Sequence, residues 1–257
     1  MKTLVTANQK GGVGKTAILV NLALAFFERG LRVVVLDLDV QANASFTLQE
    51  YASGFNSSQL YEKNGKALSS LFHNLPEEPL LKLIGSDVKM SDIEKRKISE
   101  VLTVFNDNIN TLDTCGFDVA LIDTAPSIGV NLITALCVAD YVLSPIEMET
   151  YSIQGIKKMM TTIGHIRKTT NPDLVFMGMV PSKVDARNPR HVRHLKELTS
   201  AYPQYVIPAT IGLRSSIADA LASRIPVWRN KKTAARKAAK EVYALTTHVL
   251  KIMDIQS

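Results

Sequence analysis

The chain has 257 residues, 46% hydrophobic and 21% charged, a balance that supports a folded core and excludes a disordered or fibrous chain. No apolar run approaches the roughly 20 residues that span a bilayer, and a polar, glycine-rich stretch begins at Asn8, where a secretory signal would continue its apolar segment. Net charge is +6, yet residues 183–240 carry thirteen basic side chains against three acidic ones, a net +10 that leaves −4 for the rest, and such a basic third on a weakly acidic body is the footprint of a polyanion binder.

In chain order, Leu4-Val5-Thr6-Ala7 reads as a short strand running into the glycine-rich loop. Thr16 to Glu28 reads as a helix with Leu19, Leu22, Ala23 and Phe26 on one face, closed by Gly30. Val33-Val34-Val35-Leu36 is a continuous apolar run ending in Asp37 and Asp39, as expected of a strand covered on both faces of a parallel sheet. Residues 40–80, rich in Ser, Asn, Gln and Gly, are expected to form loops and short helices. A strand is expected over 81–84, a helix over 94–112, a buried strand over 117–122 ending at Asp123, and another strand over 141–145. A helix over 152–168, a strand over 174–180, a helix near 190–201, a short strand at 205–207 and helices over 216–223 and 231–253 complete the pass. There is no internal repeat or linker. The alternation predicts one α/β domain over residues 1–257, a doubly wound, mostly parallel sheet with helices on both faces and its ligand beyond the strand carboxyl ends. Cys115 and Cys137 form neither a CxxC pair nor a zinc spacing and are expected to be half-buried thiols.

Gly11-Gly12-Val13-Gly14-Lys15-Thr16 sits between an apolar strand and a helix, with Ala17 continuing that helix. Glycines let the backbone wrap phosphate oxygens, and successive N–H groups with the helix N-terminus point at the anion. Lys15 reaches the β and γ phosphates and the Thr16 hydroxyl can ligand Mg²⁺, which makes the domain a P-loop NTPase. Asp123, after a buried strand, is placed to hold Mg²⁺ directly or through water. Asp39 can orient the attacking water, sense the γ-phosphate and help hold the metal, whereas Asp37 reads as structural.

Lys10 is an additional lysine at the start of the loop, and the resulting KGGxGKT pattern resembles the deviant Walker A family of ParA partition ATPases, the division-site selector MinD and the nitrogenase iron protein. In that family the first lysine reaches the nucleotide of a second subunit, so the resemblance implies catalytic roles for Lys10, Lys15 and Asp39. Asp37-Leu38-Asp39-Val40-Gln41-Ala42-Asn43-Ala44 is similar to the family's DxDPQGNA segment, with Val40 and Ala42 where Pro and Gly are usual. Met179 to Arg187 matches the segment near the base in ParA proteins, which implies base contacts from Lys183 and Asp185. Ile207-Pro208 with Arg214-Ser215-Ser216 resembles their IPxxxxxRxS stretch, which adds Pro208. The likeness is to short, IncC-type plasmid ParA proteins. It implies ATP and Mg²⁺ as cofactors, an ATP-dependent homodimer that binds double-stranded DNA without sequence preference, slow hydrolysis stimulated by a ParB-type partner, no membrane, and a cytoplasmic, nucleoid-associated location. The basic residues agree: Arg187, Arg190, Arg193, Lys196 and Arg214 form one candidate DNA-binding group, and Lys231, Lys232, Arg236, Lys237 and Lys240, expected on one long helix, form a second.

Three alternatives stay open at this point. A MinD-like membrane cycler needs an amphipathic C-terminal helix, and 241–257 carries Val242, Leu245, Val249, Ile252 and Met253 at helical spacing but no dense basic face. An iron–sulfur reductase of the nitrogenase type needs two cysteines per subunit placed around the dimer axis, and Cys115 precedes the Asp123 strand, the wrong side for this. A non-hydrolysing scaffold conflicts with a full set of phosphate-site residues.

Overall fold

The computed structural model describes residues 1–149 and 152–255. Its elements in chain order are β1 (Lys2–Thr6), α1 (Lys15–Glu28), β2 (Arg32–Asp37), α2 (Asn43–Thr47), β3 (Ala52–Asn56), α3 (Gly65–Leu71), β4 (Leu80–Gly85), α4 (Met90–Ile93) and α5 (Ile98–Thr114). There follow β5 (Val119–Asp123), α6 (Val130–Val138), β6 (Tyr141–Glu147), α7 (Ser152–Thr169), β7 (Val175–Ser182), α8 (Pro189–Ala201), α9 (Ser215–Ala222) and α10 (Thr233–Ile252). The seven strands form one sheet in the order β3-β4-β2-β5-β1-β6-β7, with every pairing parallel.

The apolar strand runs divide their side chains between two cores because successive residues point to opposite faces. Leu4, Val33, Val35 and Leu121 pack with Leu19, Leu22 and Phe26 of α1 and Val242, Leu245 and Val249 of α10. Val5, Val34, Leu36 and Ile122 pack on the other face with Phe105 and Ile109 of α5, Leu132 of α6 and Ile163 of α7. The doubly wound expectation therefore holds. Gly30 ends α1 in a left-handed conformation (φ +93°), with its amide on the Phe27 carbonyl and the Leu31 amide on that of Phe26, a geometry that glycine takes without Cβ strain.

Four expectations are corrected. Residues 40–80 contain a strand, β3, at the sheet edge. The helix expected over 94–112 starts four residues later, as α5 at Ile98, and residues 94–97 link it to the short α4 that ends at Ile93. Residues 205–207 make only an isolated bridge, Val206 to Met179, because the chain pairs with β7 at separate points. Lys231 and Lys232 precede α10 rather than lie on it, because the Asn230 side chain accepts the Lys232 amide at 3.0 Å in a turn. Two helices, α4 and α6, were not anticipated.

Candidate active site

The loops after β1, β2, β5 and β7 meet beyond the carboxyl end of the sheet, where β5 and β6 flank β1 on opposite sides. This is the topological switch point at which such sheets bind ligands. Asn8 anchors the first loop: its side chain donates to the Pro145 carbonyl at 2.6 Å and accepts the Lys10 amide at 2.9 Å. Gly14 has φ +94°, and a Cβ there would fall 2.9 Å from the Ser182 hydroxyl, so both backbone and space demand glycine. α1 then starts with no side-chain cap and no acid in its first turn. Its first N–H groups and its positive dipole end are left for an anion.

Four side chains converge on this helix start. Lys15 is buried and its ammonium donates to the Asn8 carbonyl at 3.2 Å. Burial holds its pKa below the usual lysine value, opposed by the nearby carboxylates of Asp123 and Asp39. The Thr16 hydroxyl donates to Asp123 Oδ2 at 2.6 Å, while Thr6 holds Oδ1 at 3.2 Å. Asp39 lines the same cleft, with its Oδ1 on the Gln41 amide at 3.0 Å. Asp37 turns instead to the Ser45 amide and hydroxyl, both at 2.7 Å, which fits the structural role read for it. Ala42, where glycine is usual, has φ +54°, so its side chain imposes backbone strain that glycine would relieve.

The cleft has a volume of about 480 Å³ and is bounded by Gly12, Lys15, Thr16, Asp39 and Pro126. A second, apolar cavity of about 460 Å³ adjoins it, sharing Gly14, Ala17, Lys183 and Leu221 and walled by Ile211 and Leu213. A hydroxyl and two carboxylates at an uncapped helix start form a hard-oxygen set suited to Mg²⁺ held with a phosphate, an ion that takes one or two protein oxygens and completes its shell with phosphate and water. The residues fit a magnesium nucleotide on this ground.

Of the residues expected to contact the base, Lys183 lines both cavities, whereas Asp185 is turned to Arg187 at 3.1 Å and Pro208 is exposed, and neither lines either of these two cavities. The segment 211–215 supplies that wall, which sequence reading missed. Lys10 points out of the cleft: its ammonium lies 2.9 Å from Glu147 and 2.5 Å from Glu149. Those acids were also missed, although Glu147, like Asp37 and Asp123, ends a strand.

The basic candidates separate into engaged and exposed groups. Arg214 makes a bidentate pair with Glu241, at 2.6 and 3.0 Å, that ties segment 211–215 to α10. Lys232 pairs with Asp219 at 2.6 Å. Arg190 and Lys196 are exposed on α8, Arg193 is exposed there but pairs with Glu197 one turn on at 3.7 Å, and Lys231 is exposed ahead of α10. Arg236, Lys237 and Lys240 are exposed on the face of α10 away from its buried Ala235, Ala238, Ala239 and Val242.

The open alternatives meet the same geometry. Val242, Leu245, Val249 and Met253 are buried in the core, so the apolar face a membrane-inserting helix needs is already covered; Gln256 and Ser257 of that segment lie outside the described residues. No described helix is long and apolar enough to cross a membrane. Cys115 and Cys137 are half-buried free thiols that precede the amino ends of β5 and β6, opposite the carboxyl ends where the site lies.

Burial, reinforced by Asp37, pushes the Asp123 carboxyl well above the ordinary carboxylate range. Folding thus favours its neutral form, and that contribution is present in acid and lost as pH rises through the raised value. Asp123→Asn, neutral at every pH, is expected to raise the melting temperature of the nucleotide-free protein at pH 8 by roughly 2–8 °C, with the gain shrinking toward pH 4. Thermal melts at the two pH values check this, and an equal or absent gain at pH 8 contradicts it.

A family model described as an AAA domain matches residues 1–176. The Protein IncC of Escherichia coli is 58% identical over 258 residues, spanning 99% of this chain and 71% of IncC. The chromosome partitioning protein ParA of Caulobacter vibrioides is 30% identical over 235 residues, 88% of this chain and 86% of that protein. The cobyrinic acid a,c-diamide synthase of Mycobacterium smegmatis, solved with bound ADP and magnesium, is 26% identical, covers 97% of this chain and 95% of its own, and superposes with a TM-score of 0.69.

Proposed function

The chain belongs to the ParA family of partition ATPases, and from that premise we propose that it hydrolyses ATP as a DNA-partition switch: an ATP-bound homodimer that binds duplex DNA without sequence preference and is released when a ParB-type partner stimulates hydrolysis. The observation that carries the ATPase reading is the uncapped start of α1, where buried Lys15, Thr16 and Asp123 converge. The α1 N–H groups and Lys15 would bind the β and γ phosphates, with the base in the adjoining apolar cavity beside Lys183. Thr16 and Asp123, with Asp39, would hold Mg²⁺, which when bound neutralises charge on the phosphate oxygens. Asp39 would orient the attacking water from its fixed position on the Gln41 amide. No further general acid is needed, because phosphoryl transfer depends on positioning and charge stabilisation. Hydrolysis by the isolated chain should be slow, since Lys10 is turned away from its own cleft.

The DNA reading is supported by the exposed cations of α8 and α10. No aromatic side chain interleaves them on α8, which favours contact with duplex phosphates over base stacking. DNA retention measured with ATP, with ADP and without nucleotide is the test. Retention is expected with ATP alone, falling about 10³-fold or more between 50 and 200 mM salt if six or more phosphates are contacted. Nucleotide-independent retention, or a flat salt response, would remove the DNA-switch reading. Location on the nucleoid follows from the same property.

A further inference from the structure

The loop that follows Asp123 is held at its far end by a carboxylate from outside the site. Glu94 lies between α4 and α5 and is not a cleft residue. Its Oε2 accepts the Val130 amide at 2.9 Å and its Oε1 accepts the Asn131 amide at 3.1 Å. These are the first amides of α6, whose N-cap, Gly129, has no side chain to offer them. A carboxylate at this point satisfies two orphan donors and meets the positive end of the helix dipole. The fit requires glycine next door: a Cβ at position 129 would fall 1.9 Å from Glu94 Oε2.

The near end of the same loop is fixed as well. Thr124 is buried and its hydroxyl donates to the Thr6 carbonyl at 2.9 Å. Between the two anchors the chain arches past the phosphate loop, and Pro126 lines the cleft beside Gly11. Asn131 carries the connection further. It is fully buried, and its amide donates to the Leu38 carbonyl at 3.1 Å, immediately before Asp39. The place of residues 130 and 131 therefore sets both the arch and the backbone that presents Asp39.

We infer that Glu94 is a positioning residue for ATP cleavage: it clamps the arch over 124–130 and, through Asn131, the Asp39 segment, without touching the nucleotide. The inference rests on the ATPase reading for its catalytic part and on hydrogen bonds alone for its structural part, so the two can fail separately.

The experiment compares Glu94→Gln with the unmodified protein. Hydrogen–deuterium exchange on the nucleotide-free chain should speed by about 10-fold at one of the Val130 and Asn131 amides, because the Gln side chain keeps one acceptor oxygen and its NH2 cannot accept, so that roughly one hydrogen bond is lost. With ATP, kcat should fall about 10-fold or more while the dissociation constant for ATP stays within about 3-fold, because positioning and not binding is impaired. A second pair guards against misfolding. Gly129→Ala should reproduce the kcat loss by displacing Glu94, and adding it to Glu94→Ala should cost little more, since both break one contact. Unchanged exchange at Val130 and Asn131, an unchanged kcat, or additive losses in the double variant would overturn the inference. Absence of ATP hydrolysis by the unmodified protein would instead overturn the ATPase reading, and the exchange result would then decide the clamp by itself.

Discussion

Replacing Lys15 by alanine is expected to abolish nucleotide binding, raising the dissociation constant for ATP by about 100-fold or more, as loss of a buried charge-assisted contact implies. The reason lies in the charges the cleft already holds. Asp37, Asp39 and Asp123 are all buried within one loop cluster, and Lys15 is the cation that lies among them. A triphosphate entering beside these carboxylates needs that ammonium to offset their repulsion, and the helix dipole alone supplies only about half a charge. In the nucleotide-free cleft burial works against the charged lysine, and bound phosphate would reverse that. Affinity should therefore weaken as pH rises past the lowered lysine value. Arginine is a poor substitute, since its planar fork does not fit where a compact ammonium reaches the Asn8 carbonyl. Titration with a fluorescent ATP analogue measures the effect, with circular dichroism as the check on folding. A Lys15→Ala protein that binds within about 3-fold of the unmodified chain would mean that the triphosphate sits elsewhere.

Legibility in the sequence followed how local each interaction is. The strand–loop–helix from Lys2 to Glu28 was readable because the glycines, Lys15 and Thr16 are contiguous and bounded by clear periodicities. Asp37, Asp39 and Asp123 were readable because each closes an apolar run. β3 was not, since Ala-Ser-Gly-Phe-Asn has no alternation and is held at the sheet edge by pairing with β4 alone. α6 was missed because Val-Asn-Leu-Ile-Thr-Ala-Leu-Cys-Val is apolar nearly all round, the pattern of a buried strand as much as of a buried helix. The wall of the apolar cavity escaped notice because Lys183, segment 211–215 and α10 meet only in three dimensions. Charge behaves the same way. The count of thirteen cations in residues 183–240 cannot tell that Arg214 closes on Glu241 or Lys232 on Asp219, and those pairings leave α8 and the outer face of α10 as the cationic surfaces.

Lys10→Ala is the second large effect, and it bears on the trans role that the resemblance implies. In the isolated chain the Lys10 ammonium is held in cis by Glu147 and Glu149. The lysine side chain is 44% exposed, so each contact is a surface ion pair worth about 0.2–1 kcal/mol. A charge-assisted contact to a phosphate enclosed between two subunits is worth about 1.5–3 kcal/mol. The comparison favours transfer of Lys10 to phosphate, but only when a second copy presents one, which would make the exchange conditional on bound ATP. Lys10→Ala should accordingly bind ATP within about 3-fold of the unmodified protein, because Lys10 is absent from its own phosphate cleft. It should remain monomeric with ATP in size-exclusion chromatography with light scattering, and it should fail to retain DNA. With ADP the two proteins should be indistinguishable. A Lys10→Ala chain that still dimerises and retains DNA with ATP would leave Lys10 as a surface ion pair and remove the trans-acting lysine from the mechanism. A variant that loses ATP binding altogether would instead place Lys10 in the cis site, against the geometry in which Glu147 and Glu149 hold it outside.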